Sequence, residues 1–211
     1  MSSWRLRRRT STPGVAAPAE TLFWAWALHA GVVLFLGWWL WRLGLWGELV
    51  RADPTGISIA IVAMAVACTA WIGRRAWWLA RESDPARGAW RAAYAADVAA
   101  GHARAAELLA ERSHGPHETA WWFASAAVKL GLLGTVVGFI VMAMQIGRLQ
   151  VFDVGEVQVL LRQMTQGMAI ALYTTLVGLA ANLWLGLQLL LLDRMADGVV
   201  AAILGGAREQ G

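Results

Sequence analysis

The sequence predicts an all-α integral membrane protein with four transmembrane helices and a short helical cytoplasmic segment. Three observations carry that expectation. Of the 211 residues, 58% are hydrophobic and 15% are charged, against about a quarter charged in a typical soluble domain. The apolar residues gather in four blocks instead of spreading through the chain. Arginine and tryptophan then collect at the ends of those blocks.

Crossing the hydrocarbon takes about 20 apolar residues. Residues 22–41 contain no charge, and residues 57–72 extend through Thr55 and Gly73. Residues 121–146 carry one charge, Lys129, and residues 168–192 carry none. The first block follows Arg5, Arg7, Arg8 and Arg9, as a signal peptide would. It is longer than a signal h-region and ends in Trp38, Trp39 and Trp41, not at a small-residue cleavage site. It therefore reads as a retained helix. Cys68 is the only cysteine, so the sequence offers no disulfide framework and no cysteine metal cluster. In an apolar block it reads as a small buried hydrophobe.

Arginine sets the expected orientation. Besides the four in the N-terminal arm, seven lie in 74–120: Arg74, Arg75, Arg81, Arg87, Arg91, Arg104 and Arg112. The connections around 42–54 and 147–165 hold two each. Arginine-rich segments stay cytoplasmic, so both termini and 74–120 are expected inside. Trp38, Trp39, Trp41 and Trp46 then mark the outer interface, and Trp77, Trp78, Trp121 and Trp122 the inner one. The basic balance is a topology signal and does not predict a nucleic-acid partner. The segment 86–113 is rich in strong helix formers and is expected to form one helix, from Asp84-Pro85 to a turn at Gly115-Pro116. Glu107 and Glu111 fit its solvated face. The expected organisation is a basic arm (1–20), a helix pair (21–73), a cytoplasmic helical segment (74–120), a second helix pair (121–195) and a tail (196–211).

The informative residues lie in the second pair. KLGLLGTVVGF (129–139) places three glycines and a threonine where a lipid-facing helix would have leucine. Ala127, Gly131, Gly134, Thr135 and Gly138 recur every three or four residues and share a helix face. Gly167, Ala171, Thr174, Thr175, Gly178 and Ala181 form a matching stripe in the fourth span. Small faces let membrane helices approach closely, so Gly131, Gly134, Gly138, Ala171, Thr174 and Gly178 are the expected packing residues. A threonine in such a helix either bonds its own preceding carbonyl or lines a wet path, donating and accepting. Thr135 and Thr175 are the candidates for a path. No Asp or Glu lies in any of the four blocks, so a titrating carboxylate has to come from another chain. His29 is expected to pack against or bond a neighbour. Lys129 is expected to snorkel to the inner interface, or else to pair with Asp193.

LGLLGTVVGF (130–139) followed by GMAIALYTTLVGLAANL (167–183) resembles the paired signature of the MotA/TolQ/ExbB proton-channel family. The resemblance implies a subunit of an ion-driven motor or energy-transducing complex in the bacterial inner membrane. In that family a homo-oligomer, a pentamer, surrounds a dimer of single-span partners of the MotB/ExbD/TolR type, each bringing a membrane aspartate. The family's path threonines fall on Thr135 and Thr175. The chain departs from its relatives in three places. The glutamate of the TolQ/ExbB branch is replaced by Ile170, the stator prolines are replaced by Val128 and Gln166, and the cytoplasmic segment is short for torque transmission. The expectation is a divergent four-span member, neither an enzyme nor dependent on a cofactor. A non-conducting scaffold that holds a partner through the same small faces is the alternative. A transporter built from inverted repeats is poorly supported, because Pro54, the only proline between the first two spans, lies in a loop.

Overall fold

The computed structural model describes residues 19–84, 88–146 and 154–209. The basic arm, with Arg5, Arg7, Arg8 and Arg9, lies outside them. The described residues form six helices: α1 (Ala19–Arg42), α2 (Leu45–Ala52), α3 (Ile57–Glu82), α4 (Ala89–Ala99), α5 (Ala105–Ile146) and α6 (Val154–Glu209). Among the described residues there is no strand. Helices α3, α5 and α6 are each long and apolar enough to cross a membrane. Helix α1 makes a fourth candidate together with α2, from which it is bent by 77°. Leu132, Val136 and Phe139 on α5 and Leu172, Leu176 and Leu183 on α6 are exposed. An apolar surface this extensive calls for lipid or a partner. The protein is a multi-pass membrane protein.

Each element begins or ends for a local reason. Gly44 leaves α1 in the left-handed region at φ 75°, and the Trp46 indole donates back to the Gly37 carbonyl at 3.0 Å, which fixes the bend into α2. Buried Asp53 starts α3. Its carboxylate accepts the Ser58 N–H at 2.7 Å, the Thr55 N–H at 3.1 Å and the Thr55 hydroxyl. Burial pushes the Asp53 pKa up, but these hydrogen bonds outweigh it and hold the group below its usual value.

The core is concentrated at the arginine-rich end, where Ile72, Ala76 and Leu79 of α3, Trp90 of α4, Leu109 and Ala120 of α5, and Leu189, Leu192 and Met195 of α6 meet. A smaller cluster of Ile61, Ala127 and Ala181 lies further along the spans. Helix α1 is tied in where the Trp26 ring covers Gly73, leaving no room there for a Cβ.

Two expectations about 86–113 are corrected. The segment is two helices, not one. Gly101 at φ 74° closes α4, with Gly101 N–H bonded to Val98 O at 3.0 Å and His102 N–H to Asp97 O at 3.1 Å. This is the Schellman pattern, in which glycine adopts the left-handed conformation at least cost. The turn expected at Gly115-Pro116 does not occur, because α5 runs unbroken through Pro116. Proline removes the N–H that would bond the carbonyl four residues earlier, here that of Arg112. Arg75 of α3 fills the gap: its Nη2 donates to Arg112 O at 3.0 Å and to Ser113 O at 3.1 Å. The consequence is length. Helix α5 has 42 residues and α6 has 56, about 63 and 84 Å at 1.5 Å per residue, against about 30 Å of hydrocarbon. Helix α6 starts at Val154, before the expected span, and continues through most of the expected tail.

Arg75→Met should lower the melting temperature in detergent by the equivalent of about 1.5–3 kcal/mol, the scale of a hydrogen bond from a charged group. Adding Pro116→Ala, which restores a backbone donor for Arg112 O, should recover part of the loss. Strict additivity of the two changes would show that the guanidinium does not compensate for the proline.

Candidate functional site

Helices α5 and α6 are antiparallel and meet along their small residues. A Cβ built on Gly131 would come within 2.9 Å of Thr174 O and 3.3 Å of Gly178 Cα. One on Gly138 would reach 2.6 Å from Gly167 O and 2.8 Å from Ala171 N. One on Gly178 would meet Ala127 O at 2.7 Å. At Gly134 the added carbon would overlap the Thr174 side chain itself. Backbone therefore lies against backbone over at least three turns of α5, and Thr174 fills the hollow above Gly134. Thr174 is fully buried, and its hydroxyl bonds Ile170 O at 2.8 Å. Ile170 is itself buried, 1% exposed.

Thr135 and Thr175 each follow a residue of the seam, since Gly134 meets Thr174. One residue turns a helix by about 100°, and in an antiparallel pair both steps lead to the same side of the seam. Both threonines are half-buried there. Their hydroxyls bond their own helices and not each other: Thr135 to Leu132 O at 2.6 Å, Thr175 to Ala171 O at 2.9 Å. Each oxygen keeps lone pairs for a further donor.

A second polar group ties α3 to α6. Trp184 Nε1 and Gln188 Nε2 both donate to Thr69 Oγ1, at 3.2 and 3.3 Å. His29 of α1 stacks on Trp184 with ring centroids 6.0 Å apart, the packing role expected of it.

The base of the helix pair carries residues that the sequence reading did not bring together. His117 Nδ1 lies 2.7 Å from Asp193 Oδ1, and the Trp121 indole donates to Asp193 Oδ2 at 3.1 Å. One turn further on, His114 Nε2 lies 3.2 Å from Asp197 Oδ1, with Ser113 Oγ 2.6 Å from His114 Nδ1. The pairing of Lys129 with Asp193 is thereby corrected: Asp193 is held by His117 and Trp121, and Lys129 is exposed. The signal was present as SHGPH (113–117) against DRMAD (193–197), two histidines and two aspartates each spaced to share a helix face. Burial pushes His117 below its usual pKa. The hydrogen bond and charge of Asp193 oppose that shift, and Arg75 and His114 add to it. A neutral His117 then donates Nδ1–H to Asp193 and keeps Nε2 unprotonated, a buried atom without a partner among the described residues. Among the described residues no cluster of His, Cys, Asp or Glu could hold a metal.

Residues 102–203 match the MotA/TolQ/ExbB proton channel family. Over that stretch, just under half of its length, the chain is similar to that family. The match takes in α5 and most of α6, including both the seam and the histidine–aspartate base, while α1 to α4 lie outside it. No curated protein and no solved structure matches the chain. That family's role is that of a proton channel within energy-transducing complexes.

Two measurements test this geometry. Gly138→Ala should destabilise the protein by about 1–3 kcal/mol, the cost of overpacking, because backbone blocks the new methyl. Gly31→Ala, with nothing within 4 Å, should not. Below pH 6.5, the ordinary histidine value, the unfolded chain takes up a proton at His117 that the folded chain refuses. Stability should therefore be intact above that pH and fall as the pH drops toward the folded value. The slope should be shallower in His117→Gln, measured as melting temperature between pH 7 and 5.

Proposed function

We propose that this protein is the ring-forming subunit of an ion-driven complex in the bacterial inner membrane. Its α5–α6 seam lines the path of protons to a partner's aspartate. The arginine distribution favours both termini on the cytoplasmic side. The observation that carries the reading is the placement of two half-buried threonines on one side of a seam too tight to admit anything else. Residues 121–146 and 168–192 contain no Asp or Glu, so the seam can relay protons to a carboxylate but cannot titrate by itself. A single-span partner of the MotB/ExbD/TolR type would supply it. A pentamer around a dimer of such partners is the assembly the family suggests. The ring would turn proton-motive force into motion of the partner.

One observation favours the scaffold reading: each threonine hydroxyl already donates its proton to its own helix. The two readings part at a near-isosteric substitution. Thr175→Val removes the hydroxyl while keeping the shape. Loss of one hydrogen bond of about 1.4 kcal/mol from the barrier should cut proton uptake about tenfold. Thr174→Val, buried in the seam, should leave uptake near wild type. Equal uptake in Thr175→Val and wild type, in complexes shown to be assembled, would favour the scaffold.

A further inference from the structure

A groove opens between α3 and α5 at the arginine-rich end. Its apolar part, about 560 Å³, is lined by Met64, Ala67, Cys68, Trp71, Ala120 and Phe123. A hollow of about 410 Å³ continues from it past Trp71 and Pro116, which line both, to Arg74, Arg75 and Trp78. Along α3 the lining thus passes from hydrocarbon through an aromatic ring to two guanidinium groups. A phospholipid makes the same passage from acyl chain through the interface to its phosphate.

The positive charge at this end is only partly spent. Arg75 gives Nη2 to two carbonyls of α5, and its guanidinium carbon lies 5.5 Å from the ring centroids of Trp78 and of Trp90. These contacts hold the group in place without neutralising it. Its Nε is buried and without a partner among the described residues. Among the described residues, neither Arg74 nor Arg75 belongs to an ion pair. Glu82 acts on Arg75 through its field but spends a carboxylate oxygen on the Trp90 N–H at 3.1 Å. Arg74 is exposed beside the hollow.

We propose that this groove is a binding site for an anionic phospholipid of the leaflet at the arginine-rich end, cytoplasmic in the proposed orientation. An acyl chain lies in the apolar part, and the phosphate sits at Arg74 and the fixed Arg75. Basic pockets between membrane helices on that side suit anionic headgroups. The inference requires only the membrane setting and holds whether or not the seam conducts.

The test uses the full chain, purified in mild detergent and stripped of lipid. Phosphatidylglycerol and phosphatidylcholine with identical acyl chains are titrated against it by native mass spectrometry. Phosphatidylglycerol should bind first. Arg74→Gln should weaken it about fivefold, the contribution of a single basic residue near an anionic surface, and leave phosphatidylcholine unchanged. Arg74 takes no part in holding α5, so the fold should persist, which a melting curve verifies. Ala67→Phe, filling the apolar part, should weaken phosphatidylglycerol binding without touching the charge. Equal binding of the two lipids, or no effect of either substitution, would overturn the proposal. So would a photo-crosslinker at position 67 that captures a second copy of the chain in native membranes instead of lipid.

Discussion

The membrane half of this protein depends on how closely the backbones of α5 and α6 approach. Hydrocarbon does not push apolar helices together, so their association relies on packing. Each glycine in α5 costs about 1 kcal/mol relative to alanine as a helix residue. That cost is recovered only where the missing Cβ admits another backbone. Gly131 and Gly138 both meet main-chain atoms of α6, and Gly134 admits the Thr174 side chain. The register that follows from these contacts carries Thr135 and Thr175 to the same side. Position along one helix therefore determines position along the other.

The arginine-rich end solves a different problem. Helices far longer than the membrane must be held in register beyond it, where proline removes a backbone donor from one of them. Arg75 serves as both brace and substitute donor, and the His117–Asp193 and His114–Asp197 pairs join α5 to α6 across the next turns. The buried core lies at this same end.

Much of this was legible in the sequence. The four apolar blocks and the two small stripes appear as periodicity, because in lipid a helix must satisfy its own backbone and only side-chain size is left to vary. The glycine stop at Gly101 was equally local but was obscured by an alanine-rich run that favours helix on both sides. The passage through Pro116 could not be read locally at all. It depends on a guanidinium 41 positions away, and proline rules describe a chain without such a neighbour. The histidine–aspartate base was missed for a related reason: each residue has a bland solvated reading alone, and only the antiparallel register pairs them.

In the proposed function this chain forms a ring whose seam serves a carboxylate carried by another chain. Intact-complex mass spectrometry of the protein extracted from its native membrane in mild detergent tests that claim most directly. The expected result is several copies of the 22.9 kDa chain together with a smaller number of a single-span protein bearing an aspartate in its membrane helix. A homo-oligomer of this chain alone, stable and without such a partner, would contradict it.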